Sequence, residues 1–254
     1  MESVKDFYSN LSFGDIDDEI KWKKWEVKNK GLLFYVIDAI TKNCGRGSSI
    51  LDVGGGTGAN LLFYGDAINS RELHCLDIRE PPRRINGINY ITAPVEKLTD
   101  ISTGPYDCII MTEVIEHLYD PDRTLEEALK KLVPNGILVI TTPNLAGFLN
   151  VFSLLLGFQP VDTEVSTVHP YAKPFTKDGT CVGHIRVFTL KAMKEMLISH
   201  GLDLISLKSI GRTLPQDGSV KIKFVFYLDR FFARVSSRGG TRMLAVCKKK
   251  DGGT

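Results

Sequence analysis

Apolar positions along this chain follow two periods, and the alternation between them predicts the fold. From Glu19 to Asn43 they return at helical spacing, with Ile20, Trp25, Leu32, Leu33, Val36, Ile37 and Ile40 on one broad face. This stretch is expected to be helical, to lie across the sheet that follows and to cover its ligand pocket. Shorter runs then take over. Ser49 to Val53 reads as a strand, Ala59 to Ala67 as a helix, and Glu72 to Asp77 and Ile88 to Thr92 as strands. Tyr106 to Met111 reads as a buried strand and Pro121 to Leu132 as a helix with Pro121 in its first turn. Pro134-Asn135-Gly136 is a turn, and Ile137 to Thr142 a strand rich in β-branched residues. A helix from Leu190 to His200 is followed by Gly201 as its stop, then by strands at Leu202 to Leu207 and Arg242 to Cys247. Strands alternating with helices imply an α/β fold, a doubly wound, mostly parallel sheet covered on both faces.

The alternation breaks between Asn144 and Gly183, which has no clear period. Long segments of this kind in a compact domain are usually functional or disordered, and this one is expected to be a lid inserted after the fifth strand. Its apolar start, from Phe148 to Phe158, is too short to span a membrane. Residues 221–254 combine an aromatic, amphipathic helix near Phe224 to Arg234, the last strand and a basic tail. The whole of 1–254 is expected to form one domain.

Composition is that of an ordinary globular protein, and it changes the picture in two places. The five cysteines are scattered without metal-ligand spacing, which points to reduced thiols, a cytoplasmic setting and no structural zinc. The first residues include Glu2 and Asp6 and no apolar core segment, so they do not read as a cleavable signal. Net charge is only +2, but from Lys221 onward nine Lys or Arg stand against two Asp. Such an end either meets an anionic lipid, nucleic acid or acidic substrate, or is simply a solvated face.

The candidate chemistry begins where the first strand stops. Ile50-Leu51-Asp52-Val53 runs into Gly54-Gly55-Gly56-Thr57-Gly58, and the second strand ends in Asp77. Glycine permits the sharp turn and lets a ligand approach the main chain. An acid at the tip of the next strand can accept hydrogen bonds from ribose hydroxyls. The spacing is G-x-G-x-G with an acid inside the strand, rather than the G-x-G-x-x-G of dinucleotide folds.

That pattern resembles motif I of the class I S-adenosylmethionine (SAM) methyltransferases. A second block makes the resemblance narrower: Thr112-Glu113-Val114-Ile115-Glu116-His117-Leu118, then Pro121, Pro134-Asn135-Gly136 and Thr142-Pro143-Asn144. It is similar to the branch that holds the ubiquinone-biosynthesis O-methyltransferases and many sugar and natural-product methyltransferases. The small-RNA 3′-end methyltransferases share the same order. The likeness covers about Ser49 to Leu207. It implies a Rossmann-like sheet of seven strands with the last antiparallel, and SAM as cofactor. By the same resemblance, Asp52 receives the amino-acid end of SAM, and Gly54 and Gly56 lie against its methionine portion. Asp77 holds the ribose, Ile78 lies beside adenine, and the segment Pro94-Val95-Glu96-Lys97-Leu98 reaches the adenine edge. Thr112 sits next to the sulfonium, largely through main chain. In one departure, Ala93-Pro94 stand where many relatives carry an Asp.

Glu113, Glu116 and His117 fall at i, i+3 and i+4, on one face of a helical turn. In one reading they line the acceptor pocket, and His117, Glu116 or His184 from Gly183-His184-Ile185-Arg186 takes the acceptor's proton. In another, Glu113, Glu116, His117 and His184 bind a divalent ion, as the likeness to the small-RNA enzymes implies. Two carboxylates and two imidazoles would suit Mn²⁺, Fe²⁺ or Zn²⁺ better than Mg²⁺. In a third, the acids only favour a helix N-terminus. The metal-free pocket is the favoured expectation. Arg186 either fixes an anionic acceptor or bridges to an acid.

The expected activity is methyl transfer from SAM to a hydroxyl or other heteroatom of a hydrophobic, sugar-like or lipid-linked small molecule, with contact to a membrane surface left open. A metal-dependent 2′-O-methyltransferase acting on RNA 3′ ends is a second reading, weakened by the lack of a basic-aromatic platform. A SAM-binding protein without turnover is a third.

Overall fold

The computed structural model describes residues 15–28, 30–174, 181–213 and 220–251. The stretch with Glu2 and Asp6, residues 175–180 of the expected lid, the side chains of Trp25 and Lys221, and residues 252–254 of the basic end lie outside the described residues.

Seven strands form one sheet: β1 (Ser49–Val53), β2 (Glu72–Asp77), β3 (Asn89–Thr92), β4 (Tyr106–Thr112), β5 (Leu132–Pro143), β6 (Leu202–Ile210) and β7 (Arg242–Lys249). Their order is β3-β2-β1-β4-β5-β7-β6. The first five pair in parallel, and β7 runs antiparallel to both β5 and β6. The order reverses between β1 and β4, and the crevice at that switch point is where this architecture binds ligands.

The helices are α1 (Ile16–Lys28), α2 (Leu32–Asn43), α3 (Ala59–Ile68), α4 (Pro121–Lys131), α5 (Phe148–Leu155), α6 (Leu190–Ser199) and α7 (Val220–Val235). Strand periodicity divides the core between the two faces of the sheet. Cys108 and Ile110 of β4 pack with Val36 and Ile40 of α2 and with Leu61 and Tyr64 of α3. The alternate residues Ile109 and Met111 pack with Leu125 and Ala128 of α4 and with Met193 and Leu197 of α6. A strand buried on both faces reads as one continuous apolar run, as the sequence shows here.

Three expectations about elements are corrected. The expected single helix from Glu19 to Asn43 is two helices, broken at Lys30 and Gly31, where Lys30 adopts a left-handed φ of +54°. Glu26 folds back over the break: its carboxylate accepts the Leu32 N–H at 3.1 Å, and a Cβ on Gly31 would sit 2.2 Å from its Cγ. The helix expected to reach Leu132 ends at Lys131, and β5 begins at Leu132. The turn expected at Pro134-Asn135-Gly136 is an irregularity inside β5, where the register against β4 shifts between Tyr106 and Cys108. Within the segment without a clear period, to which the sequence assigns no element, Phe148–Leu155 is helical. Its residues are apolar nearly all round, which leaves no period to read.

Among the described residues no helix is long and apolar enough to cross a membrane. All five cysteines are free thiols.

Candidate active site

The glycine turn and the tips of β2 and β4 enclose a cavity of about 230 Å³, lined by Gly54, Asp77, Ile78, Glu96, Glu113 and His117 among others. Gly54, Gly56 and Gly58 all take positive φ, so the turn needs glycine at each of them. A Cβ on Gly54 would lie 2.5 Å from Val114, and one on Gly55 2.6 Å from Cys75 Sγ, so side chains here would fill the crevice. The Gly56 N–H donates to Asp77 at 3.0 Å and the Arg79 N–H at 2.9 Å, which fixes that carboxylate at the rim with lone pairs to spare. Asp52 is buried at the end of β1, and its Oδ2 has no hydrogen-bond partner. Burial, and then the charge of Asp77, push its carboxyl up to about 7. An orphaned buried carboxylate oxygen calls for a cationic donor. The ammonium of the SAM amino-acid end would meet that need, although Asp52 is buried and is not among the residues that line the cavity, and Asp77, on its wall, suits ribose hydroxyls. The cradle therefore fits the cofactor.

Other positions in the cofactor set are placed differently from one another. Ile78 lines the cavity, as does Glu96. Val95 instead packs into the core beside Leu98, with Pro94 as the N-cap of the 3-10 turn Val95–Asp100. The residue of this segment that reaches the cavity is thus Glu96, because Val95 turns inward. Thr112 turns its hydroxyl to Tyr64, 3.2 Å away, and is not among the residues that line the cavity.

The acidic block does not form a helical face. Glu113 has a left-handed φ of +56°, and only Ile115–His117 coils, as a short 3-10 turn. Glu113 is thereby turned away from Glu116. It pairs with Arg242 at the start of β7 and accepts a hydrogen bond from Thr141 at 3.1 Å. Glu116 points the other way, into the body. It is completely buried, its Oε2 accepts from Thr142 at 2.9 Å, and its Oε1 has no hydrogen-bond partner. Burial pushes its carboxyl up to about 7.

His184 reaches this cluster because the returning chain is tied to it. The N–H groups of Ile185 and Arg186 both donate to the Glu116 carbonyl, at 2.9 and 3.0 Å. The rings of His117 and His184 lie 4.9 Å apart, and their Nε2 atoms are 3.9 and 4.0 Å from Glu116 Oε1. Each imidazole is bonded on its other side to a carbonyl: His117 Nδ1 to Gly183 at 3.0 Å and His184 Nδ1 to Asp162 at 2.7 Å. Those carbonyls only accept, so both Nδ1 atoms carry protons, and Nε2 is the ring nitrogen that each histidine turns toward the glutamate. Burial, then His184, push the His117 imidazolium down to about 4.

Glu116, His117 and His184 therefore offer three ligand atoms within 4.8 Å of one another. Glu113 is not among them, which corrects the expected four-residue set: its positive φ and the Arg242 pair hold it elsewhere. The Arg186 guanidinium donates to the Tyr119 carbonyl at 2.8 Å. On the far side of His184 a second cavity of about 470 Å³ opens between Glu164–Thr167 and Gly183–Ile185. His117 thus lines the cofactor cavity, and His184 a second cavity whose other walls come from the expected lid and Ile185.

Sequence reasoning missed Asp162 and Arg242. Asp162 is buried, holds His184 through its carbonyl and pairs with Arg212 through its carboxylate. It lies in an aperiodic stretch, and Arg242 opens a strand far along the chain. Neither carries a local signal.

Comparison with known proteins agrees with this geometry. A family model described as a methyltransferase domain matches residues 28–207, well over half of the chain. A ubiquinone biosynthesis O-methyltransferase of Rickettsia canadensis is 27% identical over 219 residues, which is 78% of this chain and 84% of that protein. Thiol S-methyltransferase TMT1B of Homo sapiens is 28% identical over 46% of this chain and 50% of its own length. Among solved structures, a 1,6-didemethyltoxoflavin-N1-methyltransferase of Burkholderia thailandensis with S-adenosylhomocysteine bound superposes with a TM-score of 0.53 at 14% identity, covering 95% of this chain and 93% of that one. Such distant structural similarity speaks to the fold. With the family match and the cradle just described, the chain belongs to the methyltransferase-domain family and is a class I SAM-dependent methyltransferase.

Proposed function

We propose that this enzyme methylates a hydroxyl, or another heteroatom, of a hydrophobic, sugar-like or lipid-linked small molecule. The observation that carries the reading is the meeting of Glu116, His117 and His184, with His117 lining the cofactor cavity and His184 the second one. SAM when bound supplies an activated methyl on a sulfonium, so the chain has to bring the acceptor into line and deal with its proton. Two imidazole Nε2 atoms and one carboxylate oxygen face the same space. They can accept the hydroxyl's hydrogen bond and then its proton. Glu116 supports the charge on whichever ring takes it. Relatives whose names specify oxygen, sulfur and nitrogen acceptors leave the choice of heteroatom to experiment. The test is a methyl-transfer screen over phenols, sugars, long-chain lipids and RNA. Transfer to RNA alone would overturn the small-molecule reading. SAM binding without transfer to any class would favour a protein without turnover.

A second reading is favoured by the same three atoms. Glu116 Oε1 is buried without a hydrogen-bond partner, and the two Nε2 atoms turned toward it are ligand atoms as well. A divalent cation would satisfy all three, and the carbonyl bonds to both Nδ1 atoms are the outer support that metal-bound histidines usually have. One carboxylate and two imidazoles suit Zn²⁺, Fe²⁺ or Mn²⁺. The cation would then lower the pKa of the acceptor hydroxyl. Chelation decides between the readings. Activity lost with chelator and restored by one of these ions selects the metal, and activity indifferent to chelator selects the bare cluster.

A further inference from the structure

We propose that α5 and α7 together form a surface that seats on an anionic lipid bilayer. Both helices are inside out for a water-facing position. Along α7, Val220, Phe224, Tyr227, Phe231 and Val235 recur at helical spacing and are all exposed, Val220 at 84%. The acid of that helix, Asp229, is fully buried, where it accepts from the Arg212 and Thr241 N–H groups at 2.6 and 3.0 Å. In α5 the inward residues include Asn150 and Ser153, bonded to the Asn144 and Leu149 carbonyls at 2.8 and 2.7 Å. Leu154, Leu155 and Leu156 face out, with Leu155 at 78%. Phe148 joins the two helices by stacking on Phe232 of α7 at 3.9 Å between ring centres. The buried polar anchors hold the apolar faces outward, so their exposure follows from the way the helices are fastened.

Charge identifies the occupant. α5 carries no charged residue, and the only acid of α7 is turned inward. The charges at hand are basic: Lys223 within α7, and the exposed Arg234 and Arg238 at and just past its end. An aromatic and aliphatic face edged by Lys and Arg is the composition of a helix lying in a membrane interface. Anionic headgroups attract such an edge. A second copy of this chain would bring the same cations against each other.

The surface is also fastened to the reacting groups. Asn150 of α5 donates to the Asp162 carboxylate at 3.1 Å, and the Asp162 carbonyl holds His184. Arg212, paired with Asp162, reaches Asp229 of α7 through its N–H. A lipid-dissolved acceptor would enter the cluster from this side. That last step rests on the function proposed above, whereas the docking does not.

The test is sedimentation of the full chain with vesicles of phosphatidylcholine alone, or mixed in equal parts with phosphatidylglycerol. The chain is expected to pellet with the mixed vesicles and less with the neutral ones. A chain carrying both Leu155→Glu and Phe224→Glu should bind at least about tenfold more weakly, since two large apolar side chains no longer leave water. Its SAM affinity, read by calorimetry, should be unchanged. A chain carrying Arg234→Glu and Arg238→Glu should lose the preference for the anionic vesicles. No pelleting with either vesicle overturns the proposal, as does pelleting that survives the apolar substitutions. A dimer that those substitutions dissociate, without vesicle binding, assigns the face to a second copy and overturns it too. Pelleting by a chain that binds no SAM would leave the docking standing and remove the methyl-transfer reading.

Discussion

The cofactor cavity takes its walls from the tips of adjacent parallel strands: Gly54 after β1, Asp77 and Ile78 after β2, Glu113 and Val114 after β4. The Glu116–His117–His184 cluster is assembled across the chain. His184 is carried in by hydrogen bonds to the Glu116 carbonyl and held by Asp162 from the segment after β5. The first region needs only the sheet register and a tight glycine turn. The second needs the long connection to fold back and stay. The difference teaches where each function is vulnerable: cofactor affinity should resist changes in the connection, while turnover should not.

The largest expected effect is at the cluster. Glu116→Gln, or His117→Ala, should lower kcat by about 10²–10⁴-fold and leave SAM affinity nearly unchanged. Steady-state rates set beside calorimetry check this. Equal losses in both would erase the distinction between the two regions. If the cation reading holds, the same variants should also lose bound metal by elemental analysis, because an incomplete ligand set binds poorly.

Next is the reciprocal change. Asp77→Ala removes the acceptor at the ribose position and the anchor of the Gly56 N–H. Losing hydrogen bonds to a charged group costs about 1.5–3 kcal/mol, which corresponds to roughly 10–100-fold weaker binding of SAM and S-adenosylhomocysteine. Unchanged affinity by calorimetry would remove Asp77 from the cavity's function.

Asp162→Ala sharpens the comparison from the connection side. It keeps the main-chain carbonyl that bonds His184 but removes the carboxylate that pairs with Arg212 and Asn150, and with it the anchor that fixes where that carbonyl sits. Turnover should fall by about tenfold, near the low end for groups that support reacting side chains. Hydrogen exchange should quicken in 144–174 but not in the glycine turn. In the unaltered chain, exchange in 144–174 should slow when SAM and acceptor are both present, as expected of a lid. A variant with normal turnover and unaltered exchange would show that His184 needs no such support.

The smallest effect is on pH dependence. Asp52 titrates near 7 in the free enzyme because burial and Asp77 disfavour its charge. Its carboxylate is therefore formed above that pH and protonated below it, and on the expectation that it receives the SAM ammonium, binding needs the charged form. Affinity should fall as pH drops below about 7, by up to tenfold per unit. Asp52→Asn should flatten the profile. A wild-type profile flat from neutral to acid pH would place the ammonium elsewhere.

The sequence by itself determined the strand order's ingredients and the cofactor cradle. Buried parallel strands leave continuous apolar runs, and a glycine turn after β1 with an acid at the tip of β2 is a local arrangement that spacing alone reveals. It also brought Glu116, His117 and His184 into view as one candidate group, and the apolar character of 148–158 and 224–234. Tertiary structure alone decided the rest. Glu113 left the group because a left-handed φ and Arg242, far along the chain, turn it aside. The cover became two helices because Glu26 folds back onto the N–H of Leu32. The long connection gained α5 and the Asp162 anchor, and both apolar helices were turned outward by the buried Asn150 and Asp229. Each of these depends on partners distant in sequence. The free energy of satisfying a buried polar group is set by whichever residues the fold brings within reach, and that information is not carried in local periodicity.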